Sequence, residues 1–248
     1  MIHFLGYNTN NIGDDLQTHV LKTLLQKQTH YGADIDRSNI QQELPFGSTL
    51  FFNGMLPAKD IPVASVNVVY LAVSCVYFGE EFTEDVIQHF MINSPIGCRD
   101  LATLQKMQSH NIPAVFTGCP TILYSAPTTT LSGPLYIDVP HPEQTTNYIT
   151  PTESRSERLS FLLQQYANCS EVHSSRIHCI LPCMGLQKPI QFYDSLVTTA
   201  RHRLTVLSDR VRQGKRICKH STKQQQDSTR YAINKILSAK NYPLHLKW

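Results

Sequence analysis

Short apolar runs alternate with amphipathic segments along the first half of the chain. Runs rich in β-branched and aromatic residues predict buried strands at "IHFLGY" (2–7), "STLFFNGM" (48–55), "VNVVYLAV" (66–73), "SPIGCRD" (94–100) and "IPAVFTG" (112–118). Apolar residues at helical spacing predict helices at "DLQTHVLKTLLQKQ" (15–28), "TEDVIQHFMI" (83–92) and "DLATLQKMQSH" (100–110). Asp100 is the predicted N-cap of the last helix.

The alternation restarts after "SAPTTTLSGP" (125–134), whose composition predicts a linker. Strands are predicted at "LYIDV" (135–139), "NYIT" (147–150), "SEVHSS" (170–175) and "PIQFYD" (189–194). Helices are predicted at "RSERLSFLLQQYA" (155–167), "RIHCILPCMGL" (176–186), "SLVTTARHRLTVLSDRV" (195–211) and "DSTRYAINKILSA" (227–239). Strands alternating with helices indicate parallel sheets. We therefore predict an α/β chain of two Rossmann-like domains, residues 1–128 and 129–248, that face a cleft.

Composition narrows the class of protein. The chain has 248 residues, 41% of them hydrophobic and 17% charged, which predicts a folded protein. No apolar run reaches the length of a membrane span, and the first residues lack the basic segment of a signal peptide. Seven cysteines, an odd number, fit free thiols in a reducing compartment, so we expect a cytoplasmic protein.

Charge is distributed unevenly along the chain. Residues 1–200 hold 10 Lys and Arg against 17 Asp and Glu, whereas residues 201–248 hold 12 against 2. A basic tail can bind nucleic acid or an anionic surface, but it is more commonly the solvated face of terminal helices. We do not expect nucleic acid as a partner, and the sequence does not indicate an oligomeric state.

The stretch "VHSSRIHCILPCMGL" (172–186) concentrates reactive side chains. A zinc site is one interpretation, although the spacing of its histidines and cysteines is atypical and no metal is expected. A cysteine nucleophile paired with His178 is another, although neighbours on a helix diverge by about 100°. Cys179 and Cys183, four apart among apolar residues, are typical of small buried side chains.

An anion site at the start of the helix is the interpretation we favour for this stretch. Ser174, Ser175 and Arg176 lie where a strand gives way to a helix, and free backbone N–H groups there attract anions. His178 could serve as an acid or base. The alternative is that Ser174 or Ser175 is only an N-cap and that His178 is a packed helical residue.

Two further strand ends carry candidate residues. Arg99 lies at the end of a predicted strand, where it could bind the same anion, or only pair with Asp100 or cap the helix. Asp14 and Asp15 follow Gly13 at the first strand-to-helix turn, where they could cap the helix or act as a general base. The glycine-rich phosphate motifs GxGxxG and Walker A are missing, as is the GxSxG nucleophile motif.

Four blocks together resemble the polysaccharide pyruvyl transferase family. They are "NNIGDDLQ" (10–17), "SPIGCRDLATLQKMQSHNIPAVFTGCPTI" (94–122), "SEVHSSRIHCILPCMGLQKPIQFYD" (170–194) and the weaker "RHRLTVLSDRV" (201–211). The resemblance implies a fold like that of GT-B glycosyltransferases and transfer of pyruvate from phosphoenolpyruvate to a sugar as a ketal. No cofactor is implied, because phosphoenolpyruvate is itself the donor substrate and a glycan is the acceptor.

The resemblance also implies roles for individual residues. Arg176 and His178 match the donor-site Arg-x-His of the family, and Arg99 matches its other donor-binding arginine. Ser174 and Ser175 are expected at the same donor site. Asp14 matches the aspartate of the family's NxGD segment near the cleft, and we assign Asn11 and Asn53 to the acceptor side.

Two other functions remain open at this point. A chain of the same architecture could be a glycosyltransferase that uses a nucleotide sugar. It could also be a binding protein without catalytic activity, with residues 201–248 contacting an anionic partner.

Overall fold

The structure is a computed structural model that describes residues 1–6, 9–25, 31–40, 44–57, 60–61, 67–76, 81–127, 132–150, 152–193, 205, 207, 211, 219–242 and 246. The helix predicted at 195–211 lies almost entirely outside the described residues, as do parts of the predicted linker and of the basic tail.

Contacts divide the chain into two compact units that are interleaved in sequence. The first unit comprises Met1–Asn8, Leu21–Cys119 and Ser228–Trp248, and the second comprises Thr9–Val20 and Pro120–Asp227. These contact-based units do not test the predicted domain boundary between residues 128 and 129, which stays a prediction.

The first unit is built on a six-stranded parallel sheet with the order β2-β1-β3-β4-β5-β6. Its strands are β1 (Ile2–Gly6), β2 (Ile35–Asp36), β3 (Thr49–Met55), β4 (Asn67–Ser74), β5 (Ile96–Cys98) and β6 (Ala114–Phe116). Seven of the eight residues of β4 are buried, as a strand in the middle of a covered parallel sheet requires. The strands predicted from the apolar runs of this half are confirmed.

Six α-helices are described across the two units. They are α1 (Ile12–Leu25), α2 (Glu84–Ile92), α3 (Leu101–Ser109), α4 (Arg155–Asn168), α5 (Ile177–Gly185) and α6 (Lys219–Ala239). Helix α3 begins where predicted, since the Asp100 carboxylate accepts a hydrogen bond from the Thr103 N–H at 2.8 Å. Helix α4 begins with a capping box in which Ser154 and Glu157 exchange hydrogen bonds.

The second unit contains a three-stranded parallel sheet with the order β7-β8-β9. Its strands are β7 (Leu135–Ile137), β8 (Val172–Ser174) and β9 (Ile190–Phe192). The strand predicted at "NYIT" (147–150) is wrong, because these four described residues form no strand and Tyr148 makes an isolated antiparallel bridge with Asn11. Together the two sheets confirm that the chain is α/β with parallel strands.

Candidate functional site

The start of helix α5 lacks a side-chain cap. Arg176 is the N-cap residue, and its side chain makes no capping hydrogen bond. The alternative that Ser174 or Ser175 is only an N-cap is wrong, because the N-cap position is that of Arg176. Ser174 Oγ accepts from the Arg176 N–H at 3.0 Å, and Ser175 Oγ donates to the Asp138 carbonyl at 3.3 Å. The side chain of the N-cap residue therefore does not cover the positive end of the helix dipole.

The Arg176 guanidinium is held on one edge and one face. Its Nε donates to Asp138 Oδ2 at 2.8 Å, and its central carbon lies 4.9 Å from the centre of the Tyr148 ring. Within the described ranges, no residue accepts a hydrogen bond from either terminal nitrogen, and the side chain is 38% exposed. Burial works to lower the pKa of Arg176, but the charge and hydrogen bond of Asp138 outweigh it and raise this pKa above its ordinary value.

Asp138 directly follows β7 and is hydrogen-bonded to two other segments, residues 145–147 and residues 175–176. Its backbone is left-handed, with φ +50°, a conformation that aspartate tolerates better than most residues. Its carboxylate accepts from the Asn147 N–H at 3.3 Å as well as from Arg176. Its N–H donates to the Thr145 carbonyl at 3.1 Å. These contacts fix the carboxylate beside the guanidinium.

Gly13, in the first turn of α1, packs against His178 of α5. A Cβ atom added to Gly13 would lie 2.7 Å from His178 Nδ1 and 2.8 Å from His178 Cβ. Asn11 Oδ1 accepts from the Gly13 N–H at 3.0 Å and from the Asn147 side-chain amide. The structure therefore brings Asn11 and His178, predicted from segments far apart in sequence, into one part of the second unit.

The two aspartates of the first turn of α1 have different partners. Asp14 accepts hydrogen bonds from Thr9 Oγ1 at 2.9 Å and from the Gln17 side-chain amide at 3.4 Å. Asp15 forms a two-point ion pair with Arg155, at 3.1 and 2.7 Å. Burial raises the pKa of Asp15, and the Arg155 pair opposes this rise. Of these two aspartates, Asp15 forms an ion pair and Asp14 forms none with the described residues.

Arg99 and Asn53 lie in the first unit. Arg99 follows β5, is 4% exposed, and donates its backbone N–H to the Val73 carbonyl at 2.8 Å. Asn53 is fully buried in β3, at a shift of the register with β4. The structure does not test the roles assigned to these residues or to those of the second unit, so they stay predictions.

The thiols of the opening turns of α5 are part of the core, as predicted. Cys179 and Cys183 are both fully buried, and Tyr166 Oη donates to Cys179 Sγ at 3.2 Å. Burial raises the pKa of Cys179 to about 12, which makes it a poor nucleophile. Across the described part of the chain, no group of three or more His, Cys, Asp or Glu side chains could hold a metal ion.

Sequence reasoning missed three residues of this site: Asp138, Asn147 and Tyr148. Asp138 stands directly after β7, so the rule that ligands bind at the carboxyl ends of parallel strands points to it. Asn147 and Tyr148 were obscured because "NYIT" has the composition of a strand and was predicted as one.

Comparison of the sequence with protein-family models and with curated proteins finds no match in either. Of the helices described, none is both long and apolar enough to cross a membrane.

Proposed function

We propose that this chain is a pyruvyltransferase that moves the enolpyruvyl group of phosphoenolpyruvate onto the hydroxyls of a glycan, forming a pyruvate ketal. The proposal includes two Rossmann-like domains that face a cleft, as in GT-B enzymes, and a cytoplasmic location. The observation that carries it is the second-unit site, where the uncapped start of α5 and the held Arg176 fork lie in the turn that precedes His178.

The residue types suit this reaction. Phosphoenolpyruvate carries a carboxylate and a phosphate, and the N-terminus of α5 with Arg176 and Arg99 could neutralise them. A first sugar hydroxyl adds to C2 while C3 gains a proton, and a second hydroxyl of the sugar then displaces phosphate. We assign His178 as the acid that protonates C3 and Asp14 as the base that takes the hydroxyl proton.

The test uses truncations of the donor-site residues. Arg176→Ala and His178→Ala should each lower ketal formation from phosphoenolpyruvate by about 100-fold or more, because each removes charge stabilisation or proton transfer. Ketal formation is measured by mass spectrometry of the glycan. His141→Ala, in the same unit but outside the site, is the control and should keep the activity. Full activity in both donor-site variants would rule out the assignment.

A glycosyltransferase is the second candidate, because an uncapped helix start with an arginine fork would also suit the diphosphate of a nucleotide sugar. A thermal-shift comparison of phosphoenolpyruvate with nucleotide sugars separates the two functions, since a ligand that binds the folded state raises its melting temperature. Stabilisation by a nucleotide sugar alone would replace the first proposal with the second.

A further inference from the structure

The geometry points to Asp138 as a positioning residue that orients Arg176 toward an anionic donor. This inference rests on the proposed function, since it concerns the same site. Asp138 itself is held among protein groups: its side chain is 12% exposed, whereas that of Arg176 is 38% exposed.

The contact with Asp138 uses only the Nε of Arg176 and not its two terminal nitrogens. An arginine that forms a side-on bidentate pair with a carboxylate uses Nε and one terminal nitrogen as hydrogen-bond donors. Here only Nε donates to Asp138, and the face of the guanidinium rests on the Tyr148 ring. The two terminal nitrogens, which form the fork that matches a phosphate or carboxylate, have no acceptor among the residues the structure describes.

Asp138 cannot easily follow the arginine if that side chain moves. Its N–H, its carbonyl and its second carboxylate oxygen bind Thr145, Ser175 and Asn147 respectively. Arginine loses considerable rotamer entropy when it is fixed, and a held carboxylate removes that cost before the ligand arrives.

The same anchor reaches the neighbourhood of His178. Asn147 donates its backbone N–H to Asp138 and its side-chain amide to Asn11, and Asn11 accepts from the Gly13 N–H. Gly13 is the residue against which His178 packs. Asp138 therefore connects Arg176, which we expect to bind the donor, with the Asn11–Gly13 segment that packs against His178, the proposed acid.

A negative charge beside an anion site also has an opposing effect, because it repels the ligand. That repulsion acts across the guanidinium and is screened at a half-exposed position, whereas the orientation of Arg176 depends on direct contact. We therefore expect loss of the charge at residue 138 to weaken anion binding rather than strengthen it.

Asp138→Asn is the sharpest variant. Asparagine tolerates the left-handed backbone and retains an oxygen for the Asn147 N–H, but it loses the charge that holds Arg176. We expect the dissociation constant for phosphoenolpyruvate, measured by titration calorimetry, to rise about tenfold. Gln187→Gly, at an exposed left-handed residue of the same unit, is the control and should leave this constant unchanged.

A double-mutant cycle distinguishes positioning from a general structural effect. In an Arg176→Lys background, which keeps a cation but removes Nε, Asp138→Asn should cause no further loss of binding. Tyr148→Leu, which removes the ring under the guanidinium, should weaken binding in the wild-type background by a smaller factor, and it tests the same arrangement without changing Asp138.

Three results would overturn the inference: wild-type or tighter binding by Asp138→Asn, a loss that persists in the Arg176→Lys background, or no phosphoenolpyruvate binding by the wild-type chain. The last result would also end the proposed function. A wild-type chain that binds phosphoenolpyruvate but transfers nothing to a glycan would end the proposed function alone, because the role of Asp138 is measured by binding.

Discussion

Two strand-to-helix turns, one in each unit, differ in whether the N-cap side chain accepts a hydrogen bond from the first turn of the helix. In the turn from β5 to α3, the chain closes the helix end itself, with the buried Asp100 accepting from Thr103. In the turn from β8 to α5, the N-cap position is occupied by Arg176, which makes no capping bond and is partly exposed. A helix start that a protein leaves uncapped beside a cation is suited to an anion from outside.

Each unit also contains a buried histidine. His89 of α2 is buried in the first unit and hydrogen-bonded to Tyr70 Oη at 2.9 Å and to the Asn93 side chain at 3.3 Å. His178 of the second unit is buried to a similar degree, with 5% of its surface exposed, and packs on Gly13 within the candidate site. We interpret His89 as a structural residue of the core, and His178 is the one we assign to chemistry.

Acidification should destabilise the fold through His89, and this is the largest effect that we expect. Burial lowers the pKa of His89 from its ordinary value of 6.5 to about 4. Between these values the unfolded chain takes up a proton that the folded chain does not, so stability is lost as the pH falls. We expect His89 to remove about 3 kcal/mol from the free energy of unfolding between pH 6.5 and pH 4. Urea unfolding at several pH values measures this loss.

The control for this titration is His89→Gln, which cannot take up the proton. Its free energy of unfolding should depend less steeply on pH than that of the wild type. If the free energy of unfolding of the wild type and of His89→Gln depended equally on pH, His89 would not be the source of the pH dependence.

Gly13→Ala tests the packing of α1 against His178. The new methyl group would meet the Cβ atom and ring of His178 at distances that real contacts do not reach, so α1 or α5 must shift. We expect a loss of about 2 kcal/mol in the free energy of unfolding, as is typical of overpacking. Gly133→Ala is the matched control, since a Cβ there meets nothing within 4 Å. Similar losses in both variants would contradict the close packing of Gly13 on His178.

Asp100→Ala should produce the smallest of these effects. It removes the cap that closes α3 and should cost about 1 kcal/mol in chemical unfolding. Asp100→Asn retains an oxygen for the Thr103 N–H and should cost less. If the alanine variant were as stable as the wild type, the contrast between a closed and an open helix start would lose its energetic basis.

Much of the fold could be predicted from the sequence because its local signals are strong. The apolar runs of β3 and β4 and the cap at Asp100 each reflect a local preference that the tertiary structure keeps. The segment at Tyr148 was mispredicted because composition does not reveal a partner, and the isolated bridge that Tyr148 forms is to Asn11, far away in the sequence.

The candidate site was predictable in its residue types but not in its connections. Arg176 and His178 could be selected from their place before and within a helix. Asp138 could not be connected to Arg176 from the sequence, because 38 residues separate them and only the parallel pairing of β7 with β8 brings their strand ends together. The packing of Gly13 on His178 likewise depends on tertiary structure alone.

The left-handed backbone of Asp138 has a consequence for the substitutions that this position can accept. Asparagine and glycine are the other residues that adopt this conformation at low cost, and each is a single nucleotide change away from either aspartate codon. Replacements that preserve the backbone are therefore readily accessible, yet neither carries the charge that faces Arg176. Selection for folding alone would let all three residues accumulate at position 138, whereas selection for anion binding would retain aspartate.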